Sequence, residues 1–367
     1  MTASKQKGKG TVVQHNCLIS FDLMLSPRIL IFTTVCNEGP FLLEWIAHHK
    51  ALGVTDFLIY SNDCTDGTDT LLNTLHNAGE VTHVPQHAKG KSPQWLALKA
   101  AAKHPLMTQA DWAMGIDCDE FVNLRAPFHH LQDMITATEA DAFVLQWRLF
   151  GNSNALQFAD APTTEQFTMA APERCPFPLM TRFFKTLYRV KDGPFRKPGV
   201  HRPKSKRIAR WHDGSGRPLT TEFSKAENRI IATMGNAPCA WVQLNHYSLR
   251  STEDFMVKRE RGLPNRRNKK IDAAYWAERN FNIVEDLTIQ RHRDAAKAHE
   301  DRLLSMPSVA QARQQCISAH RSAIETILSN PDEATLFTRL ALLKTSTPPD
   351  EDIAKILLQR LQHASST

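Results

Sequence analysis

Ile29-Leu30-Ile31-Phe32-Thr33-Thr34-Val35, followed at once by Cys36-Asn37-Glu38-Gly39-Pro40, is the stretch from which the fold is read. It is a short apolar run bounded by polar residues, and it reads as a buried strand. Pro40–Leu52 then takes helical spacing, with Phe41, Leu42, Trp45, Ile46 and His49 on related faces. The alternation continues outward. Strand patterns fall at Asp56–Tyr60, Glu80–Pro85, Ala110–Ile116 and Ala140–Phe150, and helical patterns at Asp66–Ala78 and Ser92–His104. Such a sequence predicts an α/β fold, a mostly parallel sheet flanked by helices. Ligands of open sheets of this kind bind beyond the carboxyl ends of the strands, so the residues just after each strand carry the information.

Residues 151–218 are rich in Pro, Gly and basic residues and read as a loop-rich insertion around a cleft. From Leu287 onward the chain reads as helical, with breaks at Met306-Pro307, Asn330-Pro331 and Pro348-Pro349. The expected organisation is a disordered basic lead (1–26), an α/β domain (27–286) and a helical C-terminal extension (287–367) used for packing or oligomerisation. Translation could start at Met1 or at Met24, ahead of the first strand.

The 367 residues are 42% hydrophobic and 23% charged, an ordinary globular balance able to fill a core. No run reaches the roughly 18 apolar residues of a membrane helix. The seven cysteines are scattered without zinc-ligand spacing, which suggests a reduced cytoplasmic protein. Peripheral contact with the inner face of a membrane is left open. A net charge of +7 favours an anionic partner. Part of the excess lies at Lys5, Lys7 and Lys9, part in a cluster from Lys197 to Arg210 that could equally be a solvated face.

Three strand ends carry polar clusters: Cys36-Asn37-Glu38-Gly39, Ser61-Asn62-Asp63-Cys64-Thr65-Asp66-Gly67-Thr68, and Asp117-Cys118-Asp119-Glu120-Phe121. In an extended segment residues two apart point to the same side, so Asp117 and Asp119 make a hard oxygen site suited to Mn²⁺ or Mg²⁺. Two adjacent carboxylates would repel if buried unpaired, and a cation resolves that conflict. On this view removing one of them costs little stability. The plainer reading of Asn62, Asp63 and Asp66 is a turn followed by a helix N-cap.

Asn37–Phe41, Glu44–His49, Ser61–Thr68 and Asp117–Phe121, in that order, resemble the family-two type glycosyltransferases of the GT-A fold, and within them a bacterial branch. Trp147–Gly151, Lys185, His201-Arg202-Pro203, His246-Tyr247, Lys258 and Arg261-Gly262 extend the likeness, which spans roughly Arg28 to Asp286. Cys118 departs from it, standing where relatives often carry an aliphatic residue. The Gln-x-x-Arg-Trp signature of processive polymer synthases is missing.

The resemblance implies a GT-A (Rossmann-like) fold, a nucleotide-sugar donor, a divalent metal and hexosyl transfer, with inversion preferred. It implies that Asn37 and Glu38 line the nucleotide pocket, that Asp63 faces base or ribose, and that Asn62 and Asp66 belong to the same donor site. Asp117 and Asp119 would hold the metal, with Asp119 central to catalysis and His246 as third ligand; a hydrogen-bonded core histidine is the alternative for His246, and His201 is a weaker candidate. Lys258 and Arg261, one turn apart, could reach one diphosphate or form a solvated helix face. For the catalytic base Glu165 is the first choice, with Glu173, Asp213 and Glu222 as rivals. The acceptor, whether glycan, lipid-linked or protein, is not specified, and no nucleic-acid partner is expected. Two other classes stay in view: an Asp-x-Asp phosphatase or phosphotransferase, and a non-catalytic basic nucleic-acid-binding protein.

Overall fold

β1 (Ile29–Val35) is buried on both faces, as a central strand of a parallel sheet has to be. The computed structural model describes residues 1–2, 26–232, 239–262 and 271–366. The expected disordered lead, with Lys5, Lys7, Lys9 and Met24, falls in residues 3–25, outside those described. β2 (Asp56–Asn62), β3 (Thr82–Gln86) and β4 (Trp112–Gly115) join β1 in the parallel order β3-β2-β1-β4. The chain moves outward from β1 to β3 and returns to β4 on the other side of β1. The strand order therefore reverses between β1 and β4, and a crevice opens beyond their carboxyl ends. Cys36–Glu38 and Asp117–Asp119 border it.

The sheet continues through β5 (Glu120–Leu124), β6 (Ala142–Leu149), β8 (Phe184–Arg189) and β12 (Val242–His246) in the order β4-β8-β6-β12-β5, with β11 (Trp211–His212) beside β6. β8 runs antiparallel to both β4 and β6, and β12 runs parallel to β6 and antiparallel to β5. Two small hairpin-like pairs lie outside it: β7 (Met169–Ala170) with β13 (Val284–Glu285), and β9 (Phe195–Lys197) with β10 (Lys204–Ser205). β8 lies within the segment expected to be an insertion of loops. Its sequence, Phe-Lys-Thr-Leu-Tyr-Arg, carries a lysine where a sheet interior calls for an apolar residue, and that lysine is buried.

Side chains alternate across the sheet. Ile29, Ile31 and Val35 pack with α1 (Gly39–Ala51) and α2 (Thr68–Asn77), while Leu30 and Phe32 pack with α3 (Pro93–Ala101). α4 (Thr252–Arg261) follows β12, and the chain ends in α5 (Arg293–Leu304), α6 (Pro307–Leu328), α7 (Pro331–Leu342) and α8 (Glu351–Ser366). Leu303 of α5 and Val309, Ala312 and Cys316 of α6 belong to the same apolar cluster as Ile29 and Trp45. α5 and α6 thus complete the core of the α/β unit. Gly39 makes this docking possible: a Cβ there would stand 2.3 Å from the Cys316 sulfur. Among the described residues no helix is long and apolar enough to cross a membrane.

Candidate active site

The helix after β1 fixes the segment after β4. Trp45, His48 and His49 are buried on α1. Trp45 Nε1 donates to the Glu120 carbonyl at 2.8 Å, and His48 Nε2 lies 2.8 Å from the Val122 carbonyl. The Val122 amide donates to His49 Nε2 at 3.3 Å. Trp45, His48 and His49 of the Glu-Trp-x-x-His-His pattern are therefore a clamp on the backbone of β5, immediately after Asp117 and Asp119, while Glu44 accepts from the Thr163 and Thr164 amides. Truncating a buried Trp costs about 3–5 kcal/mol, so this clamp is a strong constraint on the site behind it.

Beyond the strand ends lies a cavity of about 580 Å³. From the segment after β1 it takes Asn37 and Glu38, from the end of β2 Asn62 and the Asp63 that follows it, from the segment after β4 Asp117 and Asp119, from β12 His246, and from α4 Lys258 and Arg261. Asn37 and Asp63 have φ of 51° and 46°. Left-handed backbone at non-glycine residues is uncommon and clusters at functional sites.

Opposite charges pair throughout the cavity. Asp119 Oδ2 accepts from Lys258 Nζ at 2.6 Å, and its Oδ1 lies 3.6 Å from His246 Nε2. Burial pushes the Asp119 carboxyl up, but Lys258 and His246 outweigh it and hold the group well below the usual range. Asp117 Oδ2 accepts from Lys185 Nζ at 3.0 Å, and Glu120 Oε2 lies 3.4 Å from the same ammonium. Lys185 is thus compensated inside the sheet by two carboxylates, and burial pushes the Glu120 carboxyl up. Glu38 pairs with Arg250 at 3.1 Å and with Arg261 at 2.5 Å. Burial again opposes ionisation, and Arg261 and Arg250 overcome it. Arg261 also donates to the carbonyls of Cys36 and Asn37, and Arg250 Cζ sits 3.6 Å from the Phe41 ring centroid. The repulsion between Asp117 and Asp119 inferred from sequence is therefore resolved by two buried lysines on β8 and α4.

α4 is held by its own N-terminus. Ser251 and Asp254 form a reciprocal capping box, and Asp254 Oδ1 meets His320 of α6 at 2.8 Å. Lys258 and Arg261, one turn apart, consequently face the carboxylates. Arg279, stacked on Tyr275 at 3.5 Å, adds a further cation. Nothing in the sequence singled out Arg250 or Arg279.

Three expected residues behave differently. Asn62 is 2% exposed; its Nδ2 donates to the Val35 carbonyl and its Oδ1 accepts from Gln86, so it fixes the strand ends. Asp66 does not line the cavity. It accepts from the amides of Thr68 and Gly39 and so caps the starts of α2 and α1. Glu165 lies on the short helix Thr163–Gln166 and pairs with Arg293 at 2.7 Å, away from the cavity lining. Of its rivals, Glu173 and Asp213 line a neighbouring cavity and Glu222 lines neither.

Of the three expected metal ligands, Asp117 is bonded to Lys185, and Asp119 with His246 is the pair that could take part in holding a divalent cation. Two neighbouring octahedral ligands at roughly 2.1 Å from the metal stand about 3 Å apart, close to the separation here. His246 Nδ1 is buried without a hydrogen-bond partner. Among the described residues no three His, Cys, Asp or Glu side chains are grouped to hold a cation by themselves. Remaining positions would fall to substrate phosphates, as is usual for Mg²⁺.

Residues 34–189 match the family model of glycosyltransferase family 92. The family 92 match runs from β1 through β8 and contains Asn37, Asp63, Asp117, Asp119 and Lys185. A glycosyltransferase family 92 protein of Oryza sativa subsp. japonica is 26% identical over 152 residues, 39% of this chain and 25% of the relative. One of Ricinus communis is 31% identical over 111 residues, 29% of this chain and 19% of the relative. The chain thus spans a quarter or less of the length of these curated relatives. The crystal structure of S. aureus TarS 1-349 aligns with 15% identity and a TM-score of 0.30, over 82% of this chain and 90% of that one.

Proposed function

We propose that the cavity binds a nucleoside-diphosphate sugar and that the chain transfers its glycosyl group to an acceptor hydroxyl. The observation that carries this reading is the convergence of Asp117 and Asp119, in the stretch matching family 92, with Lys258, Arg261 and His246, which lie beyond it, in one cavity at the switch point of the sheet. The motif order argues for a bacterial relative of the family-two type. A match that contains both carboxylates favours glycosyl over phosphoryl transfer.

In this reading Asn37 and Asp63, at the rim, meet the base and ribose. Lys258, Arg261 and Arg279 face the diphosphate, where preorganised cations stabilise the charge that develops as the bond breaks. Asp119 and His246 would hold Mn²⁺ or Mg²⁺, which when bound supplies Lewis-acid stabilisation of the diphosphate leaving group. The acceptor oxygen forms a bond to the anomeric carbon. The bond from that carbon to the diphosphate oxygen breaks, and its electron pair leaves with the diphosphate. The hydroxyl proton passes to a carboxylate base. Glu173 is the residue proposed for it: Asp213 accepts from the Ser215 and Arg217 amides and the Arg217 side chain, whereas Glu173, 43% exposed at its side chain, accepts from Arg125 at 3.4 Å and lies 3.7 Å from Arg148. Attack from the face opposite the leaving group inverts configuration.

The test is release of nucleoside diphosphate from a panel of nucleotide sugars, with and without chelator. Cation-dependent release from at least one donor is expected. No release and no binding of any donor would remove the reading.

A further inference from the structure

β1 and β2 are neighbouring parallel strands, in register as far as Val35 and Ser61. Cys36 directly follows β1, and Cys64 stands two residues after β2. The left-handed backbone of Asp63, with φ of 46°, turns the chain so that Cys64 Sγ lies 3.9 Å from the Asn62 carbonyl. One residue further on, the two segments are tied together. Asn37 Oδ1 accepts from the Thr65 amide at 2.8 Å, and Asn37 Nδ2 donates to Thr65 Oγ1 at 3.1 Å. Beside this tie the two thiols meet, with Cys64 Sγ donating to the Cys36 sulfur. Neighbouring strands lie about 4.7–4.9 Å apart, within the Cα separations of about 4.4–6.8 Å that a disulfide spans.

Both residues are half-buried, and Cys36 lines the cavity of about 580 Å³, so a small solute reaches it from the open side. Arg261 stands beside it and donates through Nη1 to the Cys36 carbonyl. The hydrogen bond from Cys64 holds the Cys36 thiol below its ordinary range, with Arg261 in support against burial. Every other described cysteine is pushed the other way: Cys64 by the bond it donates to Cys36, and Cys118, Cys175, Cys239 and Cys316 by burial. The thiolate is the nucleophile of cysteine chemistry, and reactive cysteines are partly exposed and set among positive charge. A thiolate with a second thiol in contact is also the arrangement in which a mixed disulfide is resolved within the chain.

We propose that Cys36 and Cys64 form a redox modification site, closed to a disulfide by exchange with a small disulfide of the glutathione type, and that closing it weakens donor binding. The second half rests on the nucleotide-sugar reading of the cavity; the first does not. The Cys36 thiolate attacks one sulfur of the reagent, forming a mixed disulfide and expelling one thiolate. Cys64 then gives up its proton and attacks the Cys36 sulfur, and the second reagent thiolate leaves. Two protein thiols are oxidised, the reagent is reduced to two thiols, and the two protons lost by the protein end on them. A covalent bond is shorter than a hydrogen bond between the same atoms, so Cys36 and Cys64 are drawn together. Asn37 and Asp63, each next in the chain to one of the cysteines and each in left-handed backbone, move with them.

The experiment is incubation of the full chain with a large excess of glutathione disulfide over glutathione, followed by alkylation of free thiols, digestion and mass spectrometry. The expected product is a linked pair of peptides joined through Cys36 and Cys64, which dithiothreitol separates, with Cys118, Cys175 and Cys316 still free. Cys64→Ser is expected to stop at a glutathione adduct on Cys36, and Cys36→Ser to leave Cys64 unmodified. Thermal melting checks that both variants are folded, and the wild-type map decides the matter where one is not. A glutathione adduct that persists on Cys36 in the wild type, a link from either cysteine to another, or no reaction at all overturns the site. Nucleoside diphosphates are then titrated into the reduced and the oxidised protein. Oxidation is expected to weaken binding roughly tenfold or more, and dithiothreitol to restore it. Equal binding by the two forms overturns the coupling to the cavity. If the disulfide forms while no nucleoside diphosphate binds either form, the redox site stands and the donor reading falls.

Discussion

Lys258 Nζ stands 2.6 Å from Asp119 Oδ2 and 2.8 Å from the Ser248 carbonyl, so the central carboxylate of the site is already neutralised by a lysine of α4. This pair inverts the expectation that removing one carboxylate would relieve repulsion. Asp119→Ala leaves a buried ammonium without its counter-charge, and breaking one partner of a buried pair costs about 3–5 kcal/mol. Urea denaturation of Asp119→Ala is expected to show that loss, with Asp119→Asn, which keeps the shape and a hydrogen-bond acceptor, losing less. Equal stability of all three proteins would mean that the pair is not formed.

Lys185 makes a second case. Lys185→Met places a side chain of similar length between Asp117 and Glu120 and removes the ammonium that favours their ionised forms. It is expected to destabilise the protein, and Glu120→Gln in the same background to recover part of the loss. A double-mutant cycle on melting free energies reads the coupling, expected at about 0.5–3 kcal/mol for groups in contact. Strict additivity would show that Lys185 is not the charge compensating Glu120.

These two lysines also mark what the sequence could and could not reveal. β1 to β4 and the helices between them were legible because each obeys a simple period and each is local. Asp117 and Asp119 were legible as a pair of carboxylates after a strand. Their partners were not. Lys185 breaks the apolar pattern of β8, which is why a central strand read as loop. Arg279 reaches the cavity, and Arg250 reaches Glu38 behind its lining, from segments with no period of their own, and their roles depend on where the chain folds back. Asp66 was read as a donor-site residue and its local work is capping, while Asn62, read the same way, lines the cavity and also anchors the strand ends. Glu165 was singled out by position in a loop-rich segment, and its nearest cation, Arg293, lies 128 residues further along.

Asp63 allows binding to be separated from backbone strain. Its φ of 46° penalises Ala, so Asp63→Asn, which tolerates that conformation, is the cleaner variant. The carboxylate meets His87 Nδ1 at 2.7 Å and is 46% exposed at the cavity rim. A lost charge-assisted hydrogen bond is worth about 1.5–3 kcal/mol, or roughly 10- to 150-fold in donor affinity. Asp63→Asn is expected to keep the ligand-free melting temperature and lose most of the nucleotide-induced shift. A wild-type shift would remove Asp63 from the donor site.

The histidine clamp predicts an acid-dependent stability. Burial holds His48 down to about 4 from an ordinary 6.5. Between those values the unfolded chain binds a proton that the folded chain refuses, so stability is full above about pH 6.5 and falls as pH drops toward 4. The shift corresponds to about 3 kcal/mol. His48→Gln, whose amide can still donate to the Val122 carbonyl, is expected to flatten that part of the stability–pH curve. An unchanged slope between pH 6.5 and 4 would mean that His48 is not the titrating group.

Calorimetric titration of nucleoside diphosphates into the wild-type chain, with Mn²⁺ and then with excess chelator, tests the central claim most directly. The account predicts that at least one nucleoside diphosphate binds in the presence of the cation, and that chelator weakens it by roughly tenfold or more. It predicts that Asp119→Asn removes the cation dependence. Failure of every nucleoside diphosphate to bind, or binding that keeps its full cation-supported strength in chelator or in Asp119→Asn, would contradict it.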